Sequence, residues 1–151
     1  MSYHTEKAKE LFLRGYNCSQ AVFAAFCDVT GLPEETALKL ASSFGGGMAR
    51  MREVCGTCSG CFMVLGMLYG YTDPQDSLRK EHYARIQEAA ARFKEQNGGT
   101  ILCRELLKHL AVTTDPMPEP RTEQYYKVRP CIRFVESAAQ ITEDMINELS
   151  Q

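Results

Sequence analysis

At 151 residues, 44% hydrophobic and 24% charged, the chain suits a single domain with a core of its own. A net charge of −2, from 17 basic against 19 acidic side chains, leaves no electrostatic footprint for nucleic acid and no basic run to hold an anionic membrane. The opening MSYHTEKAKELFLRG lacks the marks of a secretory leader, and no stretch approaches the roughly 20 apolar residues of a membrane span, so a cytoplasmic location without membrane insertion is expected.

Apolar spacing is helical almost throughout. Ala8, Leu11 and Phe12 share a face in a helix over 3–14 that Gly15 ends. Asn17 can cap a second helix, with Val22, Phe23, Phe26 and Val29 at helical intervals and Gly31 closing it. Pro33 suits the first residue of a third helix reaching about Ser43, with Glu34 and Glu35 in its first turn. Gly45, Gly46 and Gly47 then call for a turn or a close backbone approach.

From Cys55 or Gly56 to Tyr69 the segment is apolar all round, the mark of a buried central helix. A long, charged helix is expected over 74–96, ended by Asn97-Gly98-Gly99. Thr100 can cap a short helix over 101–110, the proline-rich TTDPMPEPRTEQ must be irregular, and Pro130 sits near the start of a C-terminal helix. No period-two strand pattern, repeat or linker stands out. The reading is all-α: a single domain over 1–151, a bundle of about five to seven helices. Its apolar helices could also supply a homodimer face.

The chemistry lies in seven cysteines. In a reducing compartment, an odd number in a chain that needs no staples points to metal binding or thiol chemistry. Simple packing is the alternative, since free cysteine behaves as a small hydrophobe. Cys18, Cys55, Cys103 and Cys131 each fall at an expected helix start, where free N–H donors and the helix dipole favour thiolate. Arg14, Arg50, Arg52, Arg104, Arg129 and Arg133 lie near them in sequence and act in the same direction, while Glu53 and Glu105 oppose. Cys27 falls late in its helix, and Cys58 and Cys61 inside theirs.

NCSQAV, then GGGMARMREVCGTCSG, then a cysteine before ELL, then a cysteine opening the last helix: this order resembles the CGAxxG-type redox-active proteins, the C_GCAxxG_C_C family. The resemblance covers nearly the whole chain. It implies that the family's four characteristic cysteines are Cys18, Cys55, Cys103 and Cys131, and that CGAxxG falls on Cys55-Gly56-Thr57-Cys58-Ser59-Gly60. Thr57 stands where the family has alanine, a small-for-small change. Cys27, Cys58 and Cys61 match no family cysteine.

Two chemistries fit the four thiols. They could cycle between dithiol and disulfide, with Cys55 as the best attacker. They could instead ligate zinc or an iron–sulfur cluster for electron transfer or sensing. A helical binding or scaffold module without redox chemistry is the third reading, and whether the protein is an enzyme stays open. Cys55-x-x-Cys58-x-x-Cys61 is not the bacterial ferredoxin run, because FMVL follows Cys61 where a further cysteine and proline belong. Neighbours three apart on a helix share a face, so Cys58 could serve as a resolving thiol, while Cys61 suits the core. Gly45, Gly46 and Gly47 could form a backbone nest for an anionic cofactor, although a tight turn packed on the cysteines fits them better. The expected partner is an unspecified redox protein or small molecule.

Overall fold

The computed structural model describes residues 2–151, and every regular element in them is helical. α1 (Tyr3–Leu13) starts at Ser2, whose hydroxyl accepts the Thr5 N–H, and buries Ala8, Leu11 and Phe12. α2 (Cys18–Ala24) opens with a reciprocal capping box: Asn17 accepts from the Gln20 N–H, and the Gln20 side chain accepts from the Asn17 N–H. α3 (Cys27–Thr30) is a single turn ended by Gly31 at φ +78°. α4 (Glu34–Ala41) follows Pro33, with both glutamates in its first turn. α5 (Gly56–Tyr69) is the central helix, α6 (Asp76–Gln96) the long charged one, and α7 (Cys103–Leu106) another single turn. α8 (Glu123–Val128) and α9 (Cys131–Leu149) complete the chain.

Five of these helices have eight or more residues and, with the seven-residue α2, form the bundle; α3, α7 and α8 are shorter. α1 packs on α9, α2 on α5, and α5 on α9. Among the described residues no helix is long and apolar enough to cross a membrane.

Three local departures from the sequence reading matter. The helix expected over 17–31 breaks at Ala25 and Phe26, where fully buried Phe26 stacks on the His4 ring at 4.3 Å. Cys27 therefore opens α3 rather than lying late in a longer helix. The helix expected over 101–110 shrinks to α7, because Leu102 forms an isolated antiparallel bridge with Val54 that keeps the chain extended before Cys103. Thr100 caps no helix; its hydroxyl accepts the Leu102 N–H. Beyond the proline-rich segment, Thr122 caps α8, an extra helix within what reads as the approach to α9.

The turn expected at 45–47 forms between α4 and α5, and its left-handed run continues past the glycines. Gly46, Gly47, Met48, Ala49 and Arg50 all take left-handed φ, between +51° and +71°, and Arg52 joins them at +61°. For a residue with a Cβ this conformation costs about 1–2 kcal/mol. The turn is closed by the Arg50, Arg52 and Glu53 N–H groups, which donate to the Gly45, Gly46 and Gly47 carbonyls at 3.1, 3.2 and 2.8 Å. Strain of this size persists where surrounding contacts over-determine it, as they do here through Arg50 and Arg52.

Candidate functional site: a thiol-lined cavity walled by arginines

The strained turn, the start of α2, the start of α5, α7, the proline-rich segment and the start of α9 together enclose a cavity of about 570 Å³. Cys18, Cys55, Cys103 and Cys131 all line it. Two local devices bring them together. The Val54–Leu102 bridge sets the Cys55 N–H on the Ile101 carbonyl and the Cys103 N–H on the Glu53 carbonyl, both at 2.7 Å, which holds the two cysteines on adjacent backbones. Gly56 does the same for Cys18: a Cβ there would lie 3.0 Å from the Ser19 nitrogen and 3.2 Å from the Cys18 Cβ, so only glycine lets α2 come this near.

Cys55 is the N-cap residue of α5 and is buried. Its thiol is held down to about 7, chiefly by hydrogen bonding from the Cys58 thiol. Burial opposes this, while the Thr57 hydroxyl and the Thr57 and Cys58 N–H groups add to it. The hydroxyl lies 3.1 Å from the Cys55 sulfur. Cys58 is pushed the other way, first by its own burial and then by donating its hydrogen bond to Cys55. The first two cysteines of CGTCSGC thus divide into an acidified thiol at the cavity and a protonated thiol behind it. Cys61 lies deeper, its thiol pushed up to about 11 by burial against the Thr142 hydroxyl.

Cys18 and Cys131 are a second pair of thiols that shift each other's acidity. The Cys18 thiol donates, which lowers Cys131 and raises Cys18, and the Arg129 guanidinium also favours charge on Cys131. Cys103 stands apart from both pairs. Burial raises its thiol, against the pull of Arg52, whose guanidinium lies 3.6 Å from the sulfur. Cys27 is outside the cavity, and burial raises it too.

The cavity wall is cationic. Arg50, Arg52, Arg121 and Arg129 line it against one carboxylate, Glu119. Arg50, Arg52 and Arg129 all reach that carboxylate, the first two at 3.2 and 3.9 Å. They also moor the proline-rich segment: Arg50 donates to the Asp115 and Met117 carbonyls, and Arg52 to the Thr113 carbonyl at 3.0 Å. Arg121 lies over the Phe12, Tyr125 and Tyr126 rings and donates to the Phe12 and Tyr16 carbonyls.

Among the described residues, no three His, Cys, Asp or Glu side chains are grouped to hold one metal ion. The four thiols share a cavity, and guanidinium groups stand beside two of them. Gly45, Gly46 and Gly47 do line the cavity, and Gly47 packs on Cys103. Of the arginines near the cysteines in sequence, Arg50, Arg52 and Arg129 reach the wall, whereas Arg104 pairs with Glu53 and Arg14 with Glu10. Arg121 and Glu119 had no sequence signal, since their segment reads only as an irregular loop. Thr57 was visible as a departure from the motif, although not as a hydrogen-bond donor.

A family model described as "Putative redox-active protein (C_GCAxxG_C_C)" matches residues 16–145. The chain belongs to this family. The match to the C_GCAxxG_C_C model includes all four lining cysteines and ends within α9. No curated protein and no solved structure matches the chain.

Proposed function

We propose that this C_GCAxxG_C_C protein is a dithiol–disulfide redox protein in which Cys55 attacks and Cys58 resolves. The observation that carries the reading is Cys55 at the mouth of α5, lowered to about 7 by the Cys58 thiol behind it. A thiolate at a helix N-terminus is the attacking form, and a thiol whose pKa lies near ambient pH is near the optimum for exchange.

The Cys55 thiolate attacks one sulfur of a substrate disulfide and expels the other as a thiolate. Cys58 then gives up its proton and attacks the Cys55 sulfur, releasing the second substrate thiolate and leaving a Cys55–Cys58 disulfide. One substrate thiolate takes the Cys58 proton, and the other takes from solvent the proton that Cys55 lost on ionising. The substrate gains two electrons and the protein dithiol loses them; a dithiol reductant restores it. Cys18 and Cys131 supply a second dithiol in the same cavity, and Cys103 a fifth thiol beside Arg52.

The test is mass mapping of the purified, reduced protein after a limiting dose of a small disulfide, with metal analysis on the same sample. A Cys55–Cys58 disulfide forming first supports the reading. Stoichiometric zinc, or iron with sulfide, on thiols that resist the oxidant would overturn it in favour of a metal centre.

A further inference from the structure

Resting on that dithiol reading, we infer that the cavity takes a small disulfide bearing carboxylate groups, and that Arg50, Arg52 and Arg129 form its carboxylate-binding subsite, held in the free protein by the side chain of Glu119.

The cavity's size falls within the range of small-molecule sites, which are pockets of about 300–1,000 Å³. Its charge is the second argument. Four guanidinium groups face one carboxylate, and Arg121 pairs with no carboxylate among the described residues. Arg52 and Arg129 keep only 7% and 8% of their side-chain surface exposed, so their charge is felt inside the cavity and not spent on solvent. The third argument is Glu119. Three guanidinium groups from two distant parts of the chain already converge on a carboxylate at the cavity edge, so the wall holds this chemistry by construction. Arginine's planar fork suits carboxylate geometry. Glu119 sits on the irregular proline-rich segment and is 38% exposed, so an incoming carboxylate can take its place without disturbing a helix.

The thiols supply the other half of the specification. Nucleophilic sulfur needs an electrophilic sulfur, and Cys55, Cys131 and the subsite line the same cavity. A substrate gripped by its carboxylate next to these thiols is therefore a carboxylate-bearing disulfide. The simpler alternative is that the arginines only stabilise thiolates, in which case every small disulfide would react alike.

The experiment compares three probes on the reduced, full-length protein: oxidised glutathione (anionic), bis(2-hydroxyethyl) disulfide (neutral) and cystamine (cationic). Each rate is divided by that of the same probe with a free thiol peptide. The inference requires a preference for oxidised glutathione over the neutral probe of about tenfold or more at low salt, falling as salt rises. Arg129→Gln must shrink that ratio and Glu119→Gln must enlarge it. Because each ratio is taken within one variant, changes in thiol acidity cancel. Equal normalised rates for all three probes overturn the inference and leave the dithiol reading standing. No exchange with any probe overturns both.

Discussion

The Thr57 hydroxyl lies 3.1 Å from the Cys55 sulfur and is fully buried. Alanine, which the family motif carries here, has no hydroxyl to offer. A hydrogen bond to a charged group contributes about 1.5–3 kcal/mol, and one pH unit corresponds to 1.36 kcal/mol. Thr57→Val should therefore raise the midpoint of Cys55 alkylation from about 7 by about 1 pH unit. The sign follows from Cys55 being lowered: it is thiolate above its midpoint, so the variant reacts more slowly near neutrality and catches up in alkali. Cys58→Ala removes the larger contribution and should move the midpoint further than Thr57→Val. Rates of iodoacetamide labelling against pH, read at Cys55 by mass spectrometry, check both. A Thr57→Val profile that superimposes on the parent would exclude a role for the hydroxyl.

The Cys18–Cys131 pair makes a separate prediction. Cys131 is lowered because Cys18 donates to it, and Cys18 is raised for the same reason. Cys131 should then label before Cys18 in the reduced protein. In Cys18→Ala the donor is gone, and Cys131 should need a higher pH to react, with Arg129 alone left to favour its charge. Equal labelling of the two residues in the parent protein would show that they do not share a proton.

The helices were legible because their signals are local. The cap at Asn17, the ending glycines and the all-round apolar run after Cys55 act over one or two turns, and the structure keeps them. What was not legible depends on contacts between distant segments. The Val54–Leu102 bridge leaves no alternating pattern, since a single bridge has no period, yet it pairs Cys55 with Cys103 and prevents the helix expected over 101–110. The left-handed run shows only as glycines at 46 and 47; Met48, Ala49, Arg50 and Arg52 carry no such mark, and the run is moored by the tertiary contacts of Arg50 and Arg52. The arginine wall was visible in part, because sequence proximity to a cysteine does not say which way a side chain faces.

Arg52 ties the cavity to the proline-rich segment. Its Nε donates to the Thr113 carbonyl at 3.0 Å, and its terminal nitrogens reach Cys103 and Glu119. Arg52→Lys keeps the charge but loses the planar fork, so it cannot satisfy these partners together. The loosened segment should be cut sooner between residues 111 and 122 in limited proteolysis, and Arg52→Gln should be worse still. In Arg52→Gln, Cys103 also loses the cation that opposes burial, so its thiol should label only at a higher pH than in the parent. Unchanged cutting in both variants would show that the segment does not depend on Arg52.

Gly47 carries the sharpest stability prediction. Its φ is +71°, and a Cβ there would stand 2.7 Å from both the Cys103 Cβ and the Glu53 nitrogen, and 2.8 Å from the Arg52 Cα. Two of those neighbours are backbone, which cannot rotate away. Gly47→Ala should cost at least about 2 kcal/mol, combining the left-handed penalty with overpacking. For a chain of this size that lowers the melting midpoint by about 4–8 °C. Ala49→Gly is the opposing control. Ala49 sits at φ +51° and is exposed, so glycine relieves strain there without opening a hole, offset in part by the freedom it adds to the unfolded chain. Thermal melts of the two variants should move in opposite directions or, at least, differ by the clash. If Gly47→Ala melts with the parent, the turn is not packed against Cys103, and the close wall it gives the cavity is absent.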